Sequence, residues 1–149
     1  MGSFTQSSVD MQDFFDRQRE WSYATFGPPE HRGPIGPLRH LAKEAHEAEV
    51  EAMALAARSG DTSDPQSVHE KALGVERLKI EIVDCLFLGF DAAHRSGMSY
   101  AEIARVAMAK LEKNKARTWP DWRSVDPNSA VEHDRSADVC TKANGKVDS

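Results

Sequence analysis

Apolar side chains recur at helical spacing through most of the chain, and no strand-like alternation of useful length interrupts them. In the first periodic segment, residues 10–25, Met11, Phe14, Phe15, Gln18, Trp21 and Ser22 or Thr25 fall along one stripe, which predicts a helix. That pattern stops at Phe26-Gly27-Pro28-Pro29, and Gly33, Pro34, Gly36 and Pro37 keep the chain irregular as far as Leu38. A second helix is expected from Pro37, a good first-turn residue, to Gly60, which suits a helix end. After a polar break at 61–66, Ser67 and Glu70 form a capping-box pattern that opens a long third helix reaching Arg95, with Gly97 as its terminator. Gly74 marks either a bend in that helix or a later start. Ser99 and Glu102 repeat the capping box and open a fourth helix, which runs to Arg117.

Beyond Thr118-Trp119-Pro120-Asp121-Trp122 the periodicity is lost, and Trp119 and Trp122 are expected to pack down the last turn. Residues 126–149 are polar and small, with little that could join a core. The prediction is therefore an all-α four-helix bundle over residues 1–125, followed by a flexible polar tail over 126–149.

Composition narrows the class without changing this outline. A chain of 149 residues, 40% hydrophobic and 29% charged, fits one soluble globular core. No apolar run approaches the roughly 20 residues of a membrane helix. The first fifteen residues show neither a basic segment nor an apolar signal core, so the expectation is a cytoplasmic protein without a membrane partner. Cys85 lies in an apolar segment and Cys140 in the polar tail, which suggests neither a disulfide framework nor a zinc site. A net charge of -5 argues against a nucleic-acid partner, because phosphate binding needs a basic field. A polyphosphate substrate would need metal ions as intermediaries.

The candidate chemistry lies in carboxylates placed among apolar neighbours. On a helical wheel Glu81, Asp84 and Leu88 share a sector with Asp91 close by, while the other positions from Ile80 to Ala93 are apolar or glycine. A helix apolar on every side is expected to be buried, and buried carboxylates require a cationic partner. Arg77, Lys79, an arginine from elsewhere, or a metal ion could serve. The second helix offers a matching pair, Glu44 and Glu47, with Glu51 one turn on and His40 one turn back. Alone these would read as a solvated face. If the strip formed by Leu41, Ala45, Ala48, Ala52 and Leu55 packs on the third helix, the two acidic pairs converge, as ligands from facing helices do in bundle metal sites. Four hard oxygen donors suit Mg2+ or Mn2+.

The arrangement Glu44-x-x-Glu47 followed by Glu81-x-x-Asp84 resembles the metal-binding signature of the all-α nucleoside triphosphate pyrophosphohydrolases, the MazG-like superfamily. The flanking segments 18–22, 25–27, 91–97 and 113–122 are similar to its dATP/dGTP diphosphohydrolase branch, found in phages and bacteria. Together these cover roughly residues 10 to 123. The resemblance implies hydrolysis of a deoxynucleoside triphosphate to the monophosphate and pyrophosphate, in a homodimer or homotetramer. It implies that Glu44, Glu47, Glu81 and Asp84 bind metal, with Glu47 also taking a proton from the attacking water. It implies too that Lys113, Asn114 and Arg117 contact phosphates and sugar. Trp21, Tyr23 and Phe26 would wall a purine pocket under the Gly- and Pro-rich loop, although helical spacing favours a core position for Trp21, and Asp91 would orient a cationic ligand or bind the sugar.

Other readings are weaker on the residues. Ser99 to Arg105 resembles the opening of a helix-turn-helix, yet the helical pattern continues unbroken where a turn and recognition helix should follow. His133-Asp134 alone raises the HD-type phosphohydrolases, without their other ligands, and no GxxxxGK[ST] supports a P-loop. A non-enzymatic helical bundle that binds nucleotide or a partner protein would lack metal-dependent turnover. The third helix carries more apolar surface than three neighbours can cover, so self-association is expected.

Overall fold

The computed structural model describes residues 10–58 and 64–134, and among them it is all-α, with four α-helices and no strand. They are α1 (Met11–Phe26), α2 (Ile35–Ala57), α3 (Pro65–Arg95) and α4 (Tyr100–Lys115), followed by a single 3-10 turn at Trp122–Ser124. The expected helix stop at Gly60 and most of the expected tail, including Cys140, lie outside the described residues.

The starts of α1, α3 and α4 are set by side-chain caps, whereas α2 follows Pro34 without one. Asp10, in extended conformation, accepts from the Gln12 amide at 2.9 Å and opens α1. Asp64 opens α3, accepting from the amides of Gln66 and Ser67, with Pro65 at the first helical position. The helix thus begins two residues before the expected Ser67 box, because the Asp-Pro pair is the stronger start. Ser99 does cap α4, its hydroxyl accepting from the Glu102 amide at 3.2 Å. The stops use Gly27 at φ 88° and Gly97 at φ 83°, left-handed positions that glycine adopts without a Cβ penalty.

Two compact units are distinguished, residues 1–103 and 104–149. In the first, α2 lies along α3 and α1 packs on the C-terminal half of α3. Gly74 does not delay α3, which runs through it; a Cβ there would sit 2.7 Å from Leu55 Cδ2, so glycine lets the helices approach closely. Phe15 is fully buried against Phe90 and His94, with ring centroids 5.5 and 3.7 Å away, and Phe14 meets Phe87 edge-on at 5.3 Å.

The third helix is not covered on every side. Ile80, Ile82, Val83 and Leu86 are exposed. Ile82, Val83 and Leu86 point away from the sector of Glu81, while the neighbours α1 and α2 occupy the other flank. An all-round apolar pattern states how much surface must be covered, and one chain's own helices supply only part of the cover.

In the second unit the Trp119 indole donates to the Asn114 carbonyl at 2.8 Å, closing the end of α4, and its ring faces His133 at 5.6 Å. Trp122 does not pack down the last turn as expected: it is 73% exposed, with the Arg123 guanidinium 4.6 Å over its ring. The Arg123 amide is instead tied to Asp121, which caps the short turn.

Candidate active site

The packing of α2 on α3 brings Glu44, Glu81 and Asp84 together, each with a carboxylate oxygen within 4.8 Å of the others'. Among the described residues this is the only cluster of three or more potential ligands. The spacing that places Glu81 and Asp84 one turn apart puts both on the flank of α3 that α2 covers. Neither has a cationic partner among the described residues, because Arg77 pairs with Glu51 at 3.3 Å and Lys79 with Glu76 at 2.6 Å. Desolvation raises the Glu81 carboxyl above its ordinary value, and the surrounding charges of Glu44, Glu47, Asp84 and Glu51 raise it further. The cluster therefore carries negative charge that the chain itself does not balance.

Glu44 is the buried member, with His40 Nε2 at 2.6 Å and Lys43 Nζ at 3.5 Å. Glu47 stands outside the three-carboxylate group. Lys43, one turn before it, donates to its carboxylate at 2.6 Å and holds it below the usual range, while partial desolvation acts the other way. Three oxygens this close, without nitrogen or sulfur donors, fit a hard divalent cation, since side-chain rotation can bring them to the roughly 2.1 Å that Mg2+ requires.

Glu44 and Asp84 also line a cleft of about 280 Å³. Its walls are aromatic and aliphatic: Trp21 and Phe26 from α1, in edge contact at 5.5 Å, and Phe87 and Leu88 from α3. Trp21 is 54% exposed, so it is a wall of the cleft and not a core residue. Gln18 and Asp91 add polar groups to the lining. Asp91 is committed internally: it accepts from Ser22 Oγ at 2.5 Å and from Arg95 Nε. Arg95 Nη1 donates to the carbonyls of Gly27 at 3.0 Å and Arg32 at 2.7 Å, which ties down the Gly- and Pro-rich loop at its start and within it. Tyr23 does not line the cleft; its hydroxyl donates to the His94 carbonyl at 3.2 Å, and burial raises its pKa.

In the second unit Asn114 and Arg117 share a face, Arg117 Nη1 donating to Asn114 Oδ1 at 3.1 Å, and Lys113 is exposed on the last turn of α4. Sequence reading had not singled out Gln18, Phe87 or Arg95. Gln18 stood on the α1 stripe and in the segment 18–22 without an assigned role, and Arg95 could have been noticed as the i+4 partner of Asp91.

The carboxylate cluster could hold a divalent cation, and the aromatic cleft beside it could take a flat ring system. Residues 66–139, about half of the chain, match the model of the dATP/dGTP pyrophosphohydrolase family, and over this span the chain is a member of it. The match takes in Glu81, Asp84, Asp91, Lys113, Asn114 and Arg117, and it upholds the MazG-like resemblance. No curated protein and no solved structure matches the chain. No helix among the described residues is long and apolar enough to cross a membrane.

Proposed function

We propose that the protein is a metal-dependent pyrophosphohydrolase that converts dATP and dGTP to the monophosphate and pyrophosphate. The observation that carries this reading is the meeting of Glu44, Glu81 and Asp84, unbalanced in charge, at a cleft walled by Trp21 and Phe26. A bound Mg2+ or Mn2+ would neutralise the phosphates and lower the pKa of a water beside them. Glu44, Glu81 and Asp84 would hold the metal. Glu47, whose pKa Lys43 lowers, would join them as a further ligand once released from Lys43 and would take the proton from the attacking water.

Trp21 stacks on the purine, a contact every base offers through its π-face. Asp91, locked by Arg95, keeps the wall of the cleft in place and presents its carboxylate edge to the sugar. Lys113, Asn114 and Arg117 supply the cationic and amide groups for the phosphates, in keeping with their place in the family match. The apolar flank of α3 is covered by a second copy in a homodimer or larger homo-oligomer. The test is incubation with each nucleoside triphosphate and Mg2+ or Mn2+, followed by chromatographic separation of products. A helical protein that merely binds nucleotide would return the triphosphate unchanged.

A further inference from the structure

Gln18 occupies the apolar stripe of α1, is 5% exposed, and lines the cleft. Its Nε2 donates to the Phe87 carbonyl at 2.7 Å. A carbonyl only accepts, so this bond fixes which end of the amide is nitrogen and which is oxygen. The other end, Oε1, is enclosed and has no hydrogen-bond partner among the described residues. An unmet buried acceptor costs about 1–3 kcal/mol, a cost that leucine or methionine in the same space would not carry. Of the other polar groups of the lining, Asp91 is met by Arg95 and Ser22 and Glu44 by His40 and Lys43, while Asp84 belongs to the acidic cluster read above as the metal site.

We propose that Gln18 reads the base, its Oε1 accepting a hydrogen bond from an N–H on the Watson–Crick edge of a purine held in the cleft beside Trp21. This rests on the reading of the cleft as the nucleotide site. Adenine offers its 6-amino group on that edge, and guanine its N1–H and 2-amino group. Ligand binding then supplies the partner that the free protein lacks, so the bond contributes to discrimination between bases.

The test is equilibrium binding of dAMP and of 2′-deoxynebularine monophosphate, followed by tryptophan fluorescence. The second ligand is the same purine without the 6-amino group, so it has no N–H on that edge. The unchanged protein is expected to bind dAMP about three- to tenfold more tightly, the worth of one neutral hydrogen bond. In Gln18→Leu the ratio falls to about one, whereas mere loosening of α1 through the lost Phe87 bond would weaken both ligands alike. Equal affinities in the unchanged protein, a ratio that survives in Gln18→Leu, or no binding of dAMP at all would overturn the proposal.

Monophosphates have no bond to cleave, so a parallel assay of pyrophosphate release from dATP separates the two readings. Release without amino-group preference removes only the role of Gln18. Preference without release keeps that role and overturns the enzymatic reading.

Discussion

Arg95 Nε donates to both carboxylate oxygens of Asp91 at 3.0 Å, from one helical turn away and with the Arg95 side chain 0% exposed. The same guanidinium reaches Ser22 Oγ at 2.8 Å and lies 5.5 Å from the Tyr23 ring centre. Charge, α1 and the loop that follows it are thus fixed from one residue of α3. Arg95→Leu would leave the largely buried Asp91 carboxylate without its partner and release the loop carbonyls. The expected loss is about 3–5 kcal/mol of unfolding free energy, measured by urea denaturation. Asp91→Leu combined with Arg95→Leu should be less destabilising than Arg95→Leu alone. A single variant as stable as the parent would remove the pair from its structural role.

Glu81 supplies a prediction that separates a metal site from an ordinary acidic face. Its carboxyl is raised by desolvation and by the like charges around it, so its ionised form opposes folding when no cation is present. In EDTA, Glu81→Gln should melt at a higher temperature than the parent. With Mn2+ the order should reverse, because the parent gains stability from the bound ion and the variant gains little. Thermal melts in both conditions check it, and parallel shifts in the two proteins would count against a metal at this residue.

How much of this was legible in the sequence depended on whether periodicity alone fixed the answer. Glu81 and Asp84 sit one turn apart on a helix, so their shared flank could be read directly, and the apolar strip of α2 brought Glu44 to them. Glu47 was equally close in sequence, but Lys43 at i−4 draws its carboxylate aside. The wheel ranks faces without showing such competition. Helix starts shifted where Asp64-Pro65 capped earlier than the Ser67 box. The burial of α3 was overestimated because a pattern shows which side chains are apolar and not whether the chain's own helices cover them. The partnership of Gln18 with Phe87, 69 residues away, depends on the α1–α3 register, which no local pattern encodes.

Two ionisable groups give opposite ends of the same acid-side argument. Asp64 accepts from the amides of Ser67 and Gln66, which hold its carboxyl below the ordinary value. Its folded pKa is depressed, so its contribution is present above the unfolded value of about 4 and is lost as pH falls through the folded pKa. Asp64→Ala should therefore lower the melting temperature at pH 7, and the difference from the parent should shrink below pH 4. A difference that stays constant down to pH 2 would mean that the charge plays no part in the cap.

His94 is buried against Phe15, and desolvation, with Arg19 adding to it, lowers its pKa; Asp91, the Phe15 backbone and Asp16 oppose this. The unfolded chain takes up the proton first as pH drops below about 6.5, so stability declines from there through the folded pKa. Replacing His94 with phenylalanine should flatten that decline between pH 7 and 5 in urea midpoints. A slope identical to the parent's would assign the decline to other groups.

The exposed flank of α3 predicts association. Leu86, 55% exposed, shares that flank with Ile82 and Val83. Leu86→Lys should shift the protein toward the monomer in light scattering coupled to size-exclusion chromatography, as charge placed in an apolar interface is strongly unfavourable. A parent that is already monomeric at micromolar concentration would contradict the homo-oligomer.

The central proposal is that Glu44, Glu81 and Asp84 would hold a metal and that water would attack the α phosphate of dATP or dGTP. Quantifying all phosphorus-containing products from dATP and dGTP, with Mn2+ and with EDTA, for the parent and for Asp84→Ala, tests it most directly. The account predicts dAMP or dGMP and pyrophosphate in equal amounts from the parent with Mn2+, and a loss of at least about a hundredfold in EDTA or in the variant. Release of inorganic phosphate with dADP or dGDP, or pyrophosphate release undiminished in Asp84→Ala at the same metal concentration, would contradict it.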